Sequence, residues 1–265
     1  ASSSDPCRPS CAPLSFGDSY APGNCPQAGG ITRTWTAVDA AKAPLLTLKS
    51  DAESTNSYFI CELMGRKAGF INYAAGICAE AFVIVAAEDM ETTFNPDELA
   101  GKLADIIIER EGKGYKGGLI CIAEGIADKL QDEFKPKEID KHGNVYYGTA
   151  EIYKVLANKT KEAYQKKTGK EKRINSKQIG YETRTAAPIS YDVVLGSMLG
   201  YGATKLAEEG KFGHMVSVEA DLSLKAVPFG ELIDPETMLT KIRMVDRKGD
   251  LFALKEILSY SIHGR

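Results

Sequence analysis

The sequence lacks the features of several protein classes. No apolar run approaches the roughly 20 residues that span a bilayer, and no basic region followed by an apolar stretch marks a secretory signal. Basic residues do not outnumber acidic ones, with 33 Lys and Arg against 36 Asp and Glu, so the basic surface of a nucleic-acid-coating protein is absent. We therefore expect a cytoplasmic protein that binds neither membrane nor nucleic acid.

The cysteines fall into two groups on either side of residue 30. Residues 1–30 are rich in Pro, Ser and Gly and have no apolar period, so we expect a disordered or non-native leader. Its three cysteines lack a fourth ligand at zinc-finger spacing: Cys7, Cys11 and Cys25. The other three lie in apolar patterns and are expected to be buried: Cys61, Cys78 and Cys121.

The stretch 58–69 predicts a strand that breaks at a glycine and leads into a helix at 70–81. Ligands of open α/β sheets bind in the crevice where such strands end. Gly65 would let the backbone approach a ligand, and Arg66 offers a planar fork to phosphate or carboxylate. An ordinary strand–helix turn with a solvated arginine is the alternative reading.

Strand and helix patterns alternate along the rest of the chain. Apolar runs at 81–87 and 117–125 predict buried parallel strands, and Asn95 and Pro96 begin the helix between them as N-cap and first residue. Amphipathic periods predict two more helices, at 150–168 and 190–209. This alternation predicts an α/β fold: a three-layer, Rossmann-like, doubly wound and mostly parallel sheet.

Less regular segments carry further expectations. Pro44 should end or kink the helix that begins near Thr36, and residues 130–178 read as a polar insertion within the 31–265 α/β region. Residues 214–218 predict a strand, and the chain from Pro235 is expected to be helical. The 190–209 helix is expected to bury one apolar face: Val193, Leu195, Met198, Leu199 and Leu206.

Three of the predicted sheet-edge turns carry hydrogen-bonding side chains. They are Met64-Gly65-Arg66, Glu124-Gly125 and Tyr181-Glu182-Thr183-Arg184. A carboxylate accepts hydrogen bonds from hydroxyls, and a guanidinium binds phosphate bidentately. An acid near two arginines and a tyrosine therefore suits a sugar phosphate.

In this order the motifs resemble the phosphofructokinase family. The matching strings are CELMGRKAG at 61–69, IAEG at 122–125, IGYETR at 179–184 and PISYD at 188–192, and the resemblance covers about residues 34–260. It implies a phosphofructokinase-like fold and a glycolytic transferase that phosphorylates the 1-hydroxyl of fructose 6-phosphate. It further implies pyrophosphate or ATP as donor, Mg²⁺ as cofactor and a homo-oligomer.

The resemblance also implies roles for individual residues. Met64, Gly65 and Arg66 would hold fructose 6-phosphate beside the transferred group, and Glu124 would bind the sugar hydroxyls. Arg184 would bind the 6-phosphate with Tyr181 beside it, while Glu182 and Thr183 complete the segment, in part as spacers. Histidine is usual at the Tyr181 position in the bacterial ATP-dependent branch, so Gly-Tyr-x-x-Arg favours the pyrophosphate-dependent branch.

The sequence departs from the family in two respects. Two phosphate-binding arginines that ATP-dependent members take from a neighbouring subunit fall at Ser57 and near Asn175, with Arg173 and Lys177 as imperfect substitutes. Neither a Gly-Gly-Asp-Gly-Ser donor loop nor a Thr-Ile-Asp segment, whose Asp is the family's general base, occurs. We therefore expect an N-terminally truncated chain with an incomplete first domain, no catalytic residue, no Mg²⁺ ligand and weak or no turnover.

Two alternatives stay open from the sequence. One is a catalytically dead fragment or regulatory subunit that still binds a sugar phosphate. The other is a truncated product that folds poorly because sheet surfaces are left uncovered. Stabilisation by fructose 6-phosphate without turnover would favour the first, and aggregation without stabilisation the second.

Overall fold

The computed structural model describes residues 34–65, 68–135, 151–241 and 243–263. The helices in these segments are α1 (Thr34–Ser54), α2 (Phe70–Cys78), α3 (Pro96–Gly112), α4 (Ile152–Thr168), α5 (Tyr181–Thr185), α6 (Ser190–Glu208), α7 (Phe229–Leu232) and α8 (Asp250–Leu258). The strands are β1 (Tyr58–Leu63), β2 (Val83–Val85), β3 (Gly118–Ala123), β4 (Ile174–Ile179), β5 (His214–Val218) and β6 (Leu224–Pro228). Short 3-10 helices span Ala87–Asp89, Glu124–Lys129 and Asp132–Phe134. The predicted leader at 1–30 and residues 136–150 of the predicted insertion lie outside the described residues.

Strands β1 to β4 form one parallel sheet in the order β2-β3-β1-β4. β1 lies inside the sheet, and Leu63 at its carboxyl end is level with Ala123 of β3 and Ile179 of β4. The predicted parallel α/β sheet is confirmed. Because the strands run in one direction, their carboxyl ends share one edge of the sheet.

Helices cover both faces of this sheet. Side chains alternate along β1, so Tyr58 and Ile60 pack with α3 and α4, whereas Cys61 and Leu63 pack with α1 and α2. Each face has its own apolar core, and β3 is buried along its whole length. The predicted three-layer architecture is therefore present. Within the predicted insertion, residues 151–179 supply helix α4 and the edge strand β4.

Pro44 was predicted to end or kink the first helix, and α1 continues through it to Ser54, so the proline does not end the helix. Proline removes one intrahelical hydrogen bond and crowds the preceding turn. Ala41 and Leu45, on either side of it, are completely buried in the core shared with α2. Tertiary packing of this face outweighs the local cost of the proline.

Three further sequence predictions need correction. Cys78, the last residue of α2, is exposed. Residues 235–249 form no helix within their described part, because the Asp234 carboxylate accepts the Glu236 and Thr237 amides and favours a turn. On α6, Leu195 is buried but Val193 is 51% exposed.

Helix α6 packs on a separate antiparallel ribbon of β5 and β6. Met198, Leu199 and Leu206, which were expected in its core face, are only half-buried, because a two-stranded ribbon covers less of a helix than a full sheet does. Gly202 is buried where it meets Val216 of β5. No helix in the described segments has the length and apolar character to cross a bilayer.

Candidate functional site

Three carboxyl ends of the sheet carry residues predicted to bind substrate. β1 continues into Met64 and Gly65, β3 into Glu124, and β4 into Gly180 and then α5. Because β1 pairs in register with both β3 and β4, these three turns lie side by side at one edge. Arg66 lies outside the described residues.

The turn after β1 requires glycine. Gly65 has a φ of 151°, and a Cβ built on it would lie 2.8 Å from the carbonyl oxygen of Ala68. The Gly65 carbonyl accepts a hydrogen bond of 3.1 Å from the Gly125 amide, which joins the turns after β1 and β3. The chain thus folds back tightly at the place where the sequence predicts close approach to a ligand.

Thr183 joins the turn after β4 to the same edge. It is buried, and its hydroxyl lies 3.0 Å from the Met64 sulfur and donates to the Gly180 carbonyl at 2.7 Å. Thr183 is therefore more than a spacer, because it holds α5 against the turn after β1.

The other three residues of this motif point outward. Tyr181 is 80% exposed, Arg184 is exposed, and the exposed Glu182 accepts a hydrogen bond from the Gly180 amide at 3.1 Å. An exposed cation next to a tyrosine at a strand end can bind an anion from solvent without displacing a core group. The Glu182 contact is local and stabilises the start of α5.

A buried carboxylate lies behind this edge. Glu62, two residues before Met64, is 2% exposed, and its Oε1 accepts a hydrogen bond of 2.8 Å from Gln178 of β4. Among the described residues, its Oε2 has no hydrogen-bond partner. Burial raises the pKa of Glu62 to about 7; the Gln178 bond opposes this rise, and the negative charge of half-buried Glu124 adds to it.

A fourth turn, after β2, supplies two more buried acids. Asp89 accepts hydrogen bonds from the Tyr73 hydroxyl at 2.8 Å and the Ala86 amide at 2.7 Å, and it pairs with Lys255 of α8 at 2.5 Å. Burial and the Asp89 charge both raise the pKa of Tyr73. The second acid, Glu88, accepts from the Gly69 amide at 2.9 Å, just beyond the turn after β1.

Comparison with known proteins gives the same family as the motifs. The sequence profile of the family described as Phosphofructokinase matches residues 34–207, more than half of the chain. The chain belongs to the phosphofructokinase family. It is 30% identical over 224 residues to the pyrophosphate--fructose 6-phosphate 1-phosphotransferase of Thermotoga maritima, covering 81% of this chain and 53% of that protein.

ATP-dependent relatives are equally similar. ATP-dependent 6-phosphofructokinase 3 of Streptomyces coelicolor is 31% identical over 215 residues, covering 77% of this chain and 59% of the relative. The chain therefore spans about half the length of the curated relatives it matches. Since both donor types match at the same level, overall identity does not separate them.

Solved structures of phosphofructokinases share the fold. The Saccharomyces cerevisiae phosphofructokinase superposes with a TM-score of 0.61 at 14% identity, covering 91% of this chain and 31% of that one. The pyrophosphate-dependent phosphofructokinase of Nitrosospira multiformis gives a TM-score of 0.52 at 18% identity, covering 87% and 55%. At this identity the likeness concerns the fold alone.

The positions that the resemblance assigned to a neighbouring subunit lie at the opposite end of the sheet. Ser57 directly precedes β1, and the Arg173 carbonyl accepts the Tyr58 amide there. Seven strand residues at about 3.3 Å each place Ser57 roughly 20 Å from Met64. Ser57 is therefore too far from the carboxyl edge of its own sheet to contact a ligand bound there.

The described residues offer no site for Mg²⁺. No group of three His, Cys, Asp or Glu within 34–65, 68–135, 151–241 and 243–263 could hold a metal ion. The available acids at the sheet edge are already engaged, since Glu88 and Asp89 accept backbone amides.

Sequence reasoning missed two acids near the predicted site, Glu62 and Glu88. Each had a signal: Glu62 is the one charged residue in an apolar strand, and Glu88 follows an apolar run just as Glu124 does. What the linear pattern did not contain is the sheet order that brings both acids beside the turn after β1.

Proposed function

We propose that this chain binds fructose 6-phosphate at the carboxyl edge of its sheet and forms the acceptor side of a 6-phosphofructokinase. The observation that carries this proposal is the convergence of three family motifs on one edge, joined by the Gly125–Gly65 and Thr183–Met64 contacts. In the proposed reaction the 1-hydroxyl of the sugar phosphate accepts a phosphoryl group.

Each proposed contact matches a chemical property of the edge. Half-buried Glu124 offers carboxylate oxygens to sugar hydroxyls, and the tight turn at Gly65 lets Met64 and the backbone approach the sugar. Arg184 and Tyr181 are exposed at the same edge of the sheet and can hydrogen-bond to the 6-phosphate. Arg66 follows Gly65 and is proposed to contact the phosphate region.

We propose pyrophosphate as the phosphoryl donor. Support comes from Tyr181, where the resemblance associates tyrosine with the pyrophosphate-dependent branch and histidine with the bacterial ATP-dependent branch. The Thermotoga maritima relative is named for the pyrophosphate reaction. Mg²⁺ is the cofactor implied by the family, and the chain itself is proposed to contribute no ligand to it.

Replacing Arg184 tests the binding proposal. In the wild-type chain, fructose 6-phosphate is expected to raise the melting temperature in proportion to its occupancy of the folded state. Arg184→Ala should raise the Kd roughly tenfold or more, because a charge-assisted hydrogen bond contributes about 1.5–3 kcal/mol. Isothermal titration with fructose 6-phosphate measures this change.

Lys102→Ala is the matched control, because Lys102 is an exposed cation on α3. It should bind fructose 6-phosphate as the wild type does. An Arg184→Ala chain with wild-type affinity would remove Arg184 from the site, and a wild-type chain that shows neither heat nor thermal stabilisation would end the proposal.

A catalytically inactive sugar-phosphate-binding subunit is the second candidate. Within the 265 residues themselves, neither the donor-loop nor the Thr-Ile-Asp string occurs. Binding of fructose 6-phosphate is common to both candidates, and turnover in the presence of a donor distinguishes them.

A further inference from the structure

Different groups hold the two ends of the turn between β1 and α2 through hydrogen bonds and contacts. At its start, Met64 contacts Thr183 and Gly65 accepts from Gly125. At its end, the Gly69 amide donates to both carboxylate oxygens of Glu88, at 2.9 and 3.2 Å. The residues assigned to the phosphate region lie between these two attachments.

Glu88 is placed for this contact by β2. It lies in the 3-10 helix that follows the strand and is 7% exposed. Space around Gly69 is tight, since a Cβ built there would lie 2.3 Å from the Ala86 Cβ and 2.9 Å from a Glu88 oxygen. The carboxylate and the glycine backbone are therefore closely packed and leave little freedom to the end of the turn.

The same carboxylate also holds the C-terminal segment. Glu88 Oε1 accepts a second backbone hydrogen bond, 3.0 Å from the amide of Val245. The neighbouring acid Asp89 accepts hydrogen bonds from the Lys255 ammonium and the Tyr73 hydroxyl. Within the described parts of the chain, the Glu88 carboxylate accepts hydrogen bonds from backbone amides only.

Two amides converging on one buried carboxylate form a charge-assisted contact. Such bonds are about twice as strong as neutral ones, and a buried carboxylate without its donors is strongly disfavoured. The Gly69 amide is thus held more firmly than an ordinary loop amide would be. Glu88 therefore holds the end of the turn at Gly69 in a defined position.

We propose that Glu88 is a positioning residue for the sugar-phosphate site. Its carboxylate fixes the Gly69 end of the turn that carries Arg66, and it couples that turn to the C-terminal segment at Val245. The effect on binding rests on the proposed function, whereas the ordering of the turn does not.

Glu88→Gln tests the proposal, since glutamine has nearly the same size but only one acceptor oxygen and no charge. Hydrogen–deuterium exchange of a peptide covering 64–70 should become at least about tenfold faster. The Kd for fructose 6-phosphate should rise about tenfold, the equivalent of one lost charge-assisted bond. The melting temperature of the ligand-free chain should also fall by several degrees, because the buried Gly69 and Val245 amides lose part of their charge-assisted acceptor.

Glu91→Gln is the matched control. Glu91 lies in the same turn, is exposed and pairs with Arg247 at 3.0 Å, without contact to Gly69. It should leave exchange at 64–70 and the Kd unchanged. Glu88→Asp retains the charge with a shorter reach and serves as the second variant if Glu88→Gln does not fold; it should also speed exchange.

Failure of this proposal differs from failure of the proposed function. Unchanged exchange at 64–70 in the Glu88 variants overturns the positioning role, whether or not the chain binds fructose 6-phosphate. If exchange at 64–70 becomes faster but the Kd for fructose 6-phosphate is unaltered, the proposed effect of Glu88 on binding is overturned. A wild-type chain that does not bind the sugar phosphate overturns the proposed function, and exchange then still decides whether Glu88 orders the turn.

Discussion

At the scale of single residues, the sheet places a proton-binding group directly behind the candidate site. Glu62 is surrounded by core residues on the face covered by α3 and α4, and the Gln178 side chain donates to it. Its second carboxylate oxygen has no hydrogen-bond partner within the described part of the chain. Protonation relieves the cost of burying this charge, and the nearby negative charge of Glu124 favours the neutral form further.

This burial makes stability depend on pH in a defined direction. The pKa of Glu62 rises from an ordinary 4.5 to about 7 in the folded chain. Between these values only the folded state holds the proton, so the contribution of Glu62 to unfolding free energy falls as pH rises from 4.5 to 7. Above pH 7 the folded state carries the full cost of the buried charge, at most roughly 3 kcal/mol.

Glu62→Gln should therefore be neutral at pH 5 and stabilising at pH 8, by about 1–3 kcal/mol. Glutamine can still accept the Gln178 bond through its carbonyl oxygen. Urea denaturation of the wild type and of Glu62→Gln at the two pH values measures the difference in their unfolding free energies. Other titrating groups cancel in this difference because both chains contain them. A constant difference at both pH values would show that Glu62 stays ionised in the folded chain.

At the scale of elements, local rules hold where the termini are well marked. The predicted start of α3 is confirmed: Asn95 accepts the Asp97 amide at 2.8 Å, and Pro96 is the first helical residue. Acids in the first turn, Asp97 and Glu98, favour the positive end of the helix dipole. Packing of α3 against α4 and the sheet then completes the element.

Loss of the cap should destabilise this helix by a known amount. Asn95→Ala is expected to lower the unfolding free energy by about 1 kcal/mol, because one amide of the first turn loses its acceptor. Asn95→Ser retains a capping oxygen and should remain within a few tenths of a kcal/mol of the wild type. Equilibrium denaturation by guanidinium chloride distinguishes the two, and equal losses would refute the cap's contribution.

Elements whose limits depend on distant contacts were harder to predict. Helix α1 continues past Pro44 to Ser54, and its N-terminal Thr36 donates from both amide and hydroxyl to the buried Asp192 of α6, at 2.8 and 2.5 Å. These partners are 156 positions apart in the sequence. No pattern within α1 itself contains that information.

At the scale of the whole molecule, apolar surface is concentrated on α6 and its surroundings. Val193, Val194 and Tyr201 of this helix and Phe212 after it are exposed. A two-stranded ribbon is marginal on its own, so α6, β5 and β6 depend on each other. Such a surface is typical of contacts with further protein, in keeping with the homo-oligomer that the family resemblance implies.

The whole chain is expected to show little or no turnover by itself. Phosphoryl transfer requires donor, metal and base to be positioned together, and the 265 residues contain neither the donor-loop nor the Thr-Ile-Asp string. A coupled assay for fructose 1,6-bisphosphate, first with pyrophosphate and then with ATP, measures this. The Thermotoga maritima relative provides the positive control.

A second coupled assay adds the part of the Thermotoga maritima protein that this chain does not match. Recovery of pyrophosphate-dependent turnover would support the acceptor role, and recovery with ATP alone would contradict the proposed donor. Robust turnover by the isolated chain would refute the expected inactivity and with it the inactive-subunit alternative.

The order of short motifs in the sequence is enough to indicate the family. Turn glycines, strand-end acids and a Gly-Tyr-x-x-Arg segment can be recognised from neighbouring residues alone. A continuous apolar run likewise determined β3, since a strand buried on both faces favours apolar residues at every position. Only the tertiary structure decided that β1 lies between β3 and β4, which brings Gly125 into contact with Gly65 and Thr183 into contact with Met64. It alone decided that Glu62 is buried, that Val193 is exposed and that Glu88 holds Gly69. The physical reason is that strand order and burial arise from contacts between distant segments, whereas propensity and turn chemistry act between neighbours along the chain.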